Sequence, residues 1–251
     1  GRGAGGGSRA IEVGTSGLAS MLRIAWGVSV DPAVLAARGP RPEPQLTLFD
    51  RETDAACRCA REALTMLDLD AEVFPCPRGS ARHLAEARAA LAVDSGDVEL
   101  PVLLDGETAV QGAEGVVRHL YGRYGAGAEV PAGLLETAST TGRLAGALRT
   151  GRGSARAAGA RAEAPGGRIT LWSYEGNQFA RLVREALCEL ELPYVLRNVG
   201  KGSPKRDELR RIAPEASVPY LQEDGTGVGD SAEILEYLYE RHAAEGAEVT
   251  P

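Results

Sequence analysis

The strongest nucleophiles in this 251-residue chain are its four cysteines, Cys57, Cys59, Cys76 and Cys188, and a thiol attacks only as its thiolate. Cys57 falls in the first turn of a predicted helix. There the free backbone N–H groups and the helix dipole favour a negative charge, and Arg58 and Arg61 add to that field. The pattern predicts a depressed pKa and a nucleophilic or mixed-disulfide site at Cys57, the alternative being an inert, half-buried thiol. Cys76 ends a predicted strand. If that strand runs parallel to the one preceding Cys57, about 4.8 Å away, both thiols reach one rim, so Cys57 and Cys76 are the candidate catalytic residues, either as a pair or as two unrelated thiols. Cys59 lies on the apolar stripe of its helix and is expected in the core, and Cys188 abuts the matching stripe of a later helix and is expected to be structural. His83, His119 and His242 show no metal or triad spacing, and no phosphate loop is visible, so no metal site is predicted.

The elements that must position these groups come as a repeat. Arg61-Glu62-Ala63-Leu64 recurs as Arg184-Glu185-Ala186-Leu187, 123 positions later. Apolar residues at Ala56, Cys59, Ala60, Ala63, Leu64 and Leu67 match Phe179, Leu182, Val183, Ala186, Leu187 and Leu190, the spacing of an amphipathic helix with one buried face. A short apolar run precedes each helix, Leu46 to Phe49 and Ile169 to Trp172. The first unit then reads strand 46–49, helix 56–67, strand 71–74, helix 81–92, strands 102–104 and 108–110, and helix 113–121. The second reads strand 169–172, helix 179–190, strand 194–198, helix 205–212, strands 220–222 and 227–228, and helix 231–239. Two strand-helix units, a Pro-led hairpin and a closing helix give a sheet that is half parallel and half antiparallel. The fold class is therefore α/β, with two tandem thioredoxin-like domains, each a mixed four-stranded sheet flanked by helices.

Composition sets the outer bounds. A net charge of −7 and a pI near 5.2 exclude the basic face that nucleic-acid binding needs. No apolar run approaches the roughly 18 residues of a membrane span. Four cysteines are too few for a disulfide scaffold, which fits a reducing compartment. The expected organisation is a Gly/Pro-rich arm over 1–44, domain one over 45–124, a Gly/Ala/Arg-rich linker over 125–167, domain two over 168–242 and a tail over 243–251. In the arm, Leu18, Met21, Leu22, Ala25 and Trp26 are spaced as one short helix, which either packs on its own domain or docks on a protein partner or a membrane surface. Leu144 and Leu148 suggest a similar helix in the linker. The opening Gly1 suggests an upstream segment that has been removed, a targeting peptide being one candidate.

The Leu100-Pro101 and Val218-Pro219 pairs, each before a strand, together with segments 64–78 and 187–201, resemble the N-terminal, glutathione-binding domain of glutathione S-transferases and the related glutaredoxins. Phe74-Pro75-Cys76-Pro77-Arg78-Gly79 and the run from Ser173 to Arg181 look like tandem proteins of plants and algae that carry two such domains and are sent to plastids. The resemblance implies glutathione as the ligand, a chloroplast location in the stroma or at the thylakoid, and cis bonds before Pro101 and Pro219. It assigns the ligand-binding residues of unit two: Asp230 and Ser231 grip the γ-glutamyl group, Val218 with Pro219 presents backbone to the ligand thiol, Asn177 lies near the sulfur, and Lys201 and Lys205 reach the glycine carboxylate. Arg78 and Arg82 match these lysines in unit one. From the residues alone, Asp230-Ser231 also suits a plain helix cap, and Lys201, Lys205, Arg78 and Arg82 suit a solvated basic loop.

Departures from the family pattern shape the expected activity. Its Cys-Pro-aromatic-Cys turn reads Asp54-Ala55-Ala56-Cys57 in unit one and Asn177-Gln178-Phe179-Ala180 in unit two, so the leading cysteine is absent from both. Gly112-Ala113 replaces the acidic-Ser pair in unit one, and no stretch matches the all-helical domain that follows in a full transferase. Two functions fit. One is a glutathione- or thiol-linked protein, at most a weak thiol transferase, with Cys57 carrying the exchange. The other is a non-catalytic scaffold or accessory subunit of a plastid protein complex.

Overall fold

Alternation in Leu46-Thr47-Leu48 and Ile169-Thr170-Leu171 turns leucine and isoleucine to one face of a strand, and the helix that follows each strand covers that face. The computed structural model describes residues 26–37, 41–42, 45–93, 98–135, 152–161 and 167–244. A short helix α1 (Pro32–Ala37) precedes unit one, which comprises β1 (Leu46–Asp50), α2 (Ala55–Met66), β2 (Ala71–Pro75), α3 (Arg82–Ala90), β3 (Val102–Asp105), β4 (Thr108–Gln111) and α4 (Ala113–Tyr124). Unit two comprises β5 (Ile169–Ser173), α5 (Gln178–Glu189), β6 (Tyr194–Asn198), α6 (Lys205–Ile212), β7 (Tyr220–Glu223), β8 (Thr226–Gly229) and α7 (Ser231–His242). Every strand and helix expected in the two repeats is present, with ends shifted by a few residues. Helix α1 carries no sequence signal beyond Pro32 at its first position, where a missing N–H is harmless. The helices expected near Leu18 and Leu144 lie outside the described residues, apart from Trp26, which sits in a turn. The bonds Leu100-Pro101 and Val218-Pro219 are both cis.

The expected pair of four-stranded sheets is one sheet. β1 and β2 are parallel, β3 and β4 extend them antiparallel, and β5 to β8 repeat the scheme. Strands β2 and β6, each the outer parallel strand of its unit, then pair antiparallel with Glu72 opposite Val195, giving the order β4-β3-β1-β2-β6-β5-β7-β8. Two exposed edges, each with unmet N–H and C=O groups, satisfy one another at this seam. One hydrophobic core runs through both units, from Leu48, Leu64 and Leu103 to Leu171, Leu187 and Leu221.

The seam also changes the two organising helices. α2 and α5 were expected to bury one face, yet Arg58, Arg61 and Glu62 on α2 and Arg181, Arg184 and Glu185 on α5 are buried too. The polar faces meet charge from the opposite unit. Arg61 donates from Nη1 to both Asp50 oxygens at 2.6 and 2.7 Å and from Nε to Glu175 of unit two at 2.8 Å. Arg184 reaches back to Glu52 of unit one at 3.0 Å and to Glu175 at 3.0 Å. Glu52 and Glu175 occupy the same repeat position, so the network has a pseudo-twofold centre. Removing one partner from such a buried cluster leaves an uncompensated charge and typically costs about 3–5 kcal/mol.

The segments leading into each unit cross the seam. Val28 O accepts from Lys201 N and Val30 N donates to Lys201 O in unit two, both at 2.9 Å, before Asp31 N returns to Met66 O of unit one at 2.8 Å. Ser154 and Arg156 bond Arg78 of unit one at 2.8 and 2.9 Å, before Ala157 N returns to Glu189 O of unit two at 2.8 Å. Gly27 (φ 75°) and Gly153 (φ 73°) lie against Glu175 and Glu185, where a Cβ would come within 2.9 Å of side-chain carbon. Only glycine fits this left-handed, close approach.

Candidate functional site

In unit two the rim is built where β5 hands over to α5. Asn177 caps that helix, its Oδ1 accepting from Phe179 N and Ala180 N at 2.9 Å. Its Nδ2 donates across the rim to Val218 O at 3.1 Å, tying the helix start to the residue before the cis proline. A carbonyl has a second lone pair, and the Val218 N–H has no partner among the described residues, so this backbone can still meet a ligand. After the β7–β8 hairpin, Asp230 takes φ 63° and caps α7, accepting from Ala232 N at 2.8 Å. Ser231 is buried, and its hydroxyl makes no hydrogen bond among the described residues. The first turn of α5 holds no acidic residue, so with a neutral cap its positive end faces the rim uncompensated. The fold therefore brings Asn177, Val218, Pro219, Asp230 and Ser231 to one rim.

The two lysines behave differently. Lys201 keeps an exposed side chain while its backbone carries the crossing segment. Lys205 is a correction: its Nζ donates to Asp68 O at 3.0 Å and pairs with Asp70, both in unit one, so it fastens α6 across the seam and is withdrawn from the rim. Arg82, at the same repeat position, likewise approaches Glu191 of unit two at 3.8 Å. A residue that sequence reasoning missed is Arg206. It donates to Val199 O and Gly200 O, and its guanidinium lies 5.6 Å from the centre of the Tyr174 ring, a stacked cation at the foot of the same rim.

Unit one shows what happens when the same rim is filled. Asp54 caps α2, accepting from Ala56 N at 2.8 Å and Cys57 N at 3.3 Å, so a carboxylate already compensates the helix dipole. Cys57 is fully buried, and its Sγ accepts from Arg51 N at 3.4 Å. Burial first, then Asp50 and Asp54, raise the thiol pKa well above its ordinary value, against a smaller opposing pull from Arg61. The expected activation of Cys57 is thereby reversed, because Arg58 and Arg61 are spent on the carboxylates of the seam. Cys76 shares a small apolar cluster with Cys57, Phe49 and Leu100. Burial, then Asp50, push its pKa up to about 12. Both are free thiols. Cys188 is buried with its pKa raised by burial, and Cys59 sits in the core with its thiol donating to Leu134 O. At the position of Asp230, Gly112 adopts φ 75°, and a Cβ there would stand 3.0 Å from a Glu99 carboxylate oxygen. Glu99, another residue with no sequence signal, thus occupies the space of the missing grip.

A strand-to-helix rim, a cis-proline strand facing it, and a cap residue with positive φ, present in both units, define a thioredoxin-like fold. The chain matches the glutathione S-transferase N-terminal domain family twice, over residues 48–129 and 171–246, and belongs to that family. It is also similar to maleylacetoacetate isomerase of Dictyostelium discoideum, 33% identical over 79 residues. That alignment covers 30% of this chain and 36% of the relative, so the chain spans little more than a third of that protein's length. No solved structure matches significantly. Among the described residues, no group of three His, Cys, Asp or Glu side chains is arranged to hold a metal, and no helix is long and apolar enough to cross a membrane.

Proposed function

We propose that unit two binds glutathione non-covalently, while unit one, with its rim filled, gives it structural support. The observation that carries this reading is the contrast between equivalent rims. Unit two has a neutral cap in Asn177, an open Val218 N–H and the Asp230-Ser231 pair; unit one has Asp54, Glu99 and Gly112 at the matching places. Membership of the family supports glutathione as the ligand. Asp230 receives the ligand ammonium, Ser231 its carboxylate, the Val218 backbone its cysteinyl amide, and Asn177 sits beside the sulfur. Isothermal titration with reduced glutathione tests the assignment. Asp230→Ala is expected to weaken binding by about 1.5–3 kcal/mol, the worth of a hydrogen bond to a charged group. Absence of heat at millimolar glutathione in the wild type overturns it.

A second reading, a non-catalytic accessory subunit of a plastid complex, is favoured by one observation: all four cysteines are buried as free thiols. On that reading the protein co-purifies with partners from plastids. A monomer in the stroma with no associated chain speaks against it.

A further inference from the structure

Away from both rims, a cavity of ≈ 710 Å³ opens on the sheet of unit two beside the seam. Its floor is the row Gln222–Thr170–Val195 across β7, β5 and β6, followed by Trp172 and Arg197, which are paired on β5 and β6. Cations mark its two ends. Arg168, just before β5, is exposed and forms no ion pair or hydrogen bond among the described residues; Arg197 and Lys205 close the other end, with Arg41 on the wall. From position 168 to 172 the strand advances about 13 Å at its usual rise, enough for a small elongated molecule.

The cations exceed what their neighbours neutralise. Arg197 pairs with Asp70 at 2.7 Å and with Glu208 at 2.7 Å, and Lys205 with Asp68 and Asp70. Arg41 stands 3.9 Å from Asp68, donates to Leu67 O at 3.0 Å and keeps about half of its side chain in solvent. Arg168 has no such carboxylate among the described residues. The Gln222 carbonyl is taken by the Trp172 indole N–H at 2.8 Å, so its amide N–H groups point elsewhere and, like the Thr170 hydroxyl, meet no acceptor among the described residues. Among the described residues, donors without acceptors line the middle and a guanidinium without a carboxylate stands at one end.

The repeat supplies a comparison. In unit one the positions of Trp172, Arg197, Val195 and Gln222 are Phe49, Phe74, Glu72 and Leu104. There Phe49 and Phe74 stack at 5.4 Å, and His83 meets Phe74 at 5.3 Å, so aromatic rings fill the face. In unit two, Arg197 lies over the Trp172 ring at 5.0 Å and leaves the face polar and open. We infer that this cavity is a second ligand site, for a small organic anion presenting carboxylate or phosphate oxygens to Arg168, Thr170 and Gln222. The volume is in the range of small-molecule sites.

Isothermal titration of the full chain at low salt, with pyrophosphate in one series and citrate in the other, tests this. Saturable binding of either supports the site: pyrophosphate alone identifies a phosphate ester as the physiological class, citrate alone a carboxylate. Arg168→Ala, at an exposed position, should weaken that binding about tenfold or more, the loss of a charge-assisted hydrogen bond. Thr170→Val should weaken it by a smaller factor, and Asp230→Ala at the rim of unit two should leave it unchanged. The inference is overturned if neither anion binds the wild type below millimolar concentration, or if Arg168→Ala binds as the wild type does. Loss of glutathione binding in Asp230→Ala with pyrophosphate binding intact separates the two sites.

Discussion

Asp50→Asn should make the protein more stable at pH 8, although it removes half of a buried ion pair. Around the pseudo-twofold centre the described residues place Arg58, Arg61 and Arg184 among Asp50, Glu52, Glu62 and Glu175, three cations against four carboxylates. Glu175 takes three arginines, which outweigh its burial and hold its carboxyl down at about 2. Among the described residues Asp50 pairs only with Arg61. Burial, with Glu52 and Glu175 adding repulsion, outweighs that pairing and raises its pKa from 3.8 to about 6. A carboxyl raised on folding binds more protons in the native state than in the unfolded one, so its term is nil below the unfolded value. Stability then falls as pH climbs from 3.8 to about 6 and stays reduced above it. A shift of that size corresponds to about 3 kcal/mol at pH 8. Asparagine keeps an acceptor for Arg61 Nη1 but loses the second oxygen, which returns about 1 kcal/mol, so the expected gain is about 1–3 kcal/mol. Urea unfolding at pH 5 and pH 8 measures it: the stability of Asp50→Asn relative to the wild type should rise between the two, a difference from which the opposing contribution of His83, its pKa lowered by burial, cancels. A variant less stable than the wild type at pH 8, with the same dependence on pH, refutes the charge count.

Two further outcomes follow from the same structure. Arg184→Met, which leaves Glu52 with Arg61 alone and weakens the hold on Glu175, should lower stability at pH 7 by about 3–5 kcal/mol in denaturant titrations, and less at pH 4, where the under-compensated carboxylates protonate. Thiol labelling of the native protein at pH 7.5 should be slow for all four cysteines and become fast only in denaturant, and Cys57→Ser should leave the native rate unchanged; rapid single-site labelling of Cys57 would count against its burial.

The fold was legible because its signals are local. The paired apolar stripes of α2 and α5, and the prolines before β3 and β7, fix element type and order within each unit. What joins the units was not. Arg61 and Arg184 read as solvent-facing residues of an amphipathic helix, since a charged residue declares its partner only through distant contacts, here Glu175 and Glu52. Lys205 shows the same limit, as the family resemblance offered it to a ligand carboxylate and its position across the seam gave it Asp68 and Asp70 instead. For Cys57, helix position alone favoured a thiolate. The opposing factors, full burial and the nearness of Asp50, depend on packing that no spacing in the sequence encodes. Asn177 and Asp230 were readable as caps because capping is a matter of neighbours one to three residues away.

The crossing of the leading segments bears on how the chain is made. Residues 28–30 find their hydrogen-bond partner at Lys201, whereas most of a strand-helix unit closes contacts over a few tens of residues. During synthesis at roughly 5–20 residues per second, the first leading segment emerges many seconds before its docking site exists. Unit one must therefore wait with β2 unpaired and Arg61 lacking Glu175, and it completes its packing only once β6 has been translated. Newly made chains should accordingly pass through a protease-sensitive stage that ends abruptly when unit two leaves the ribosome.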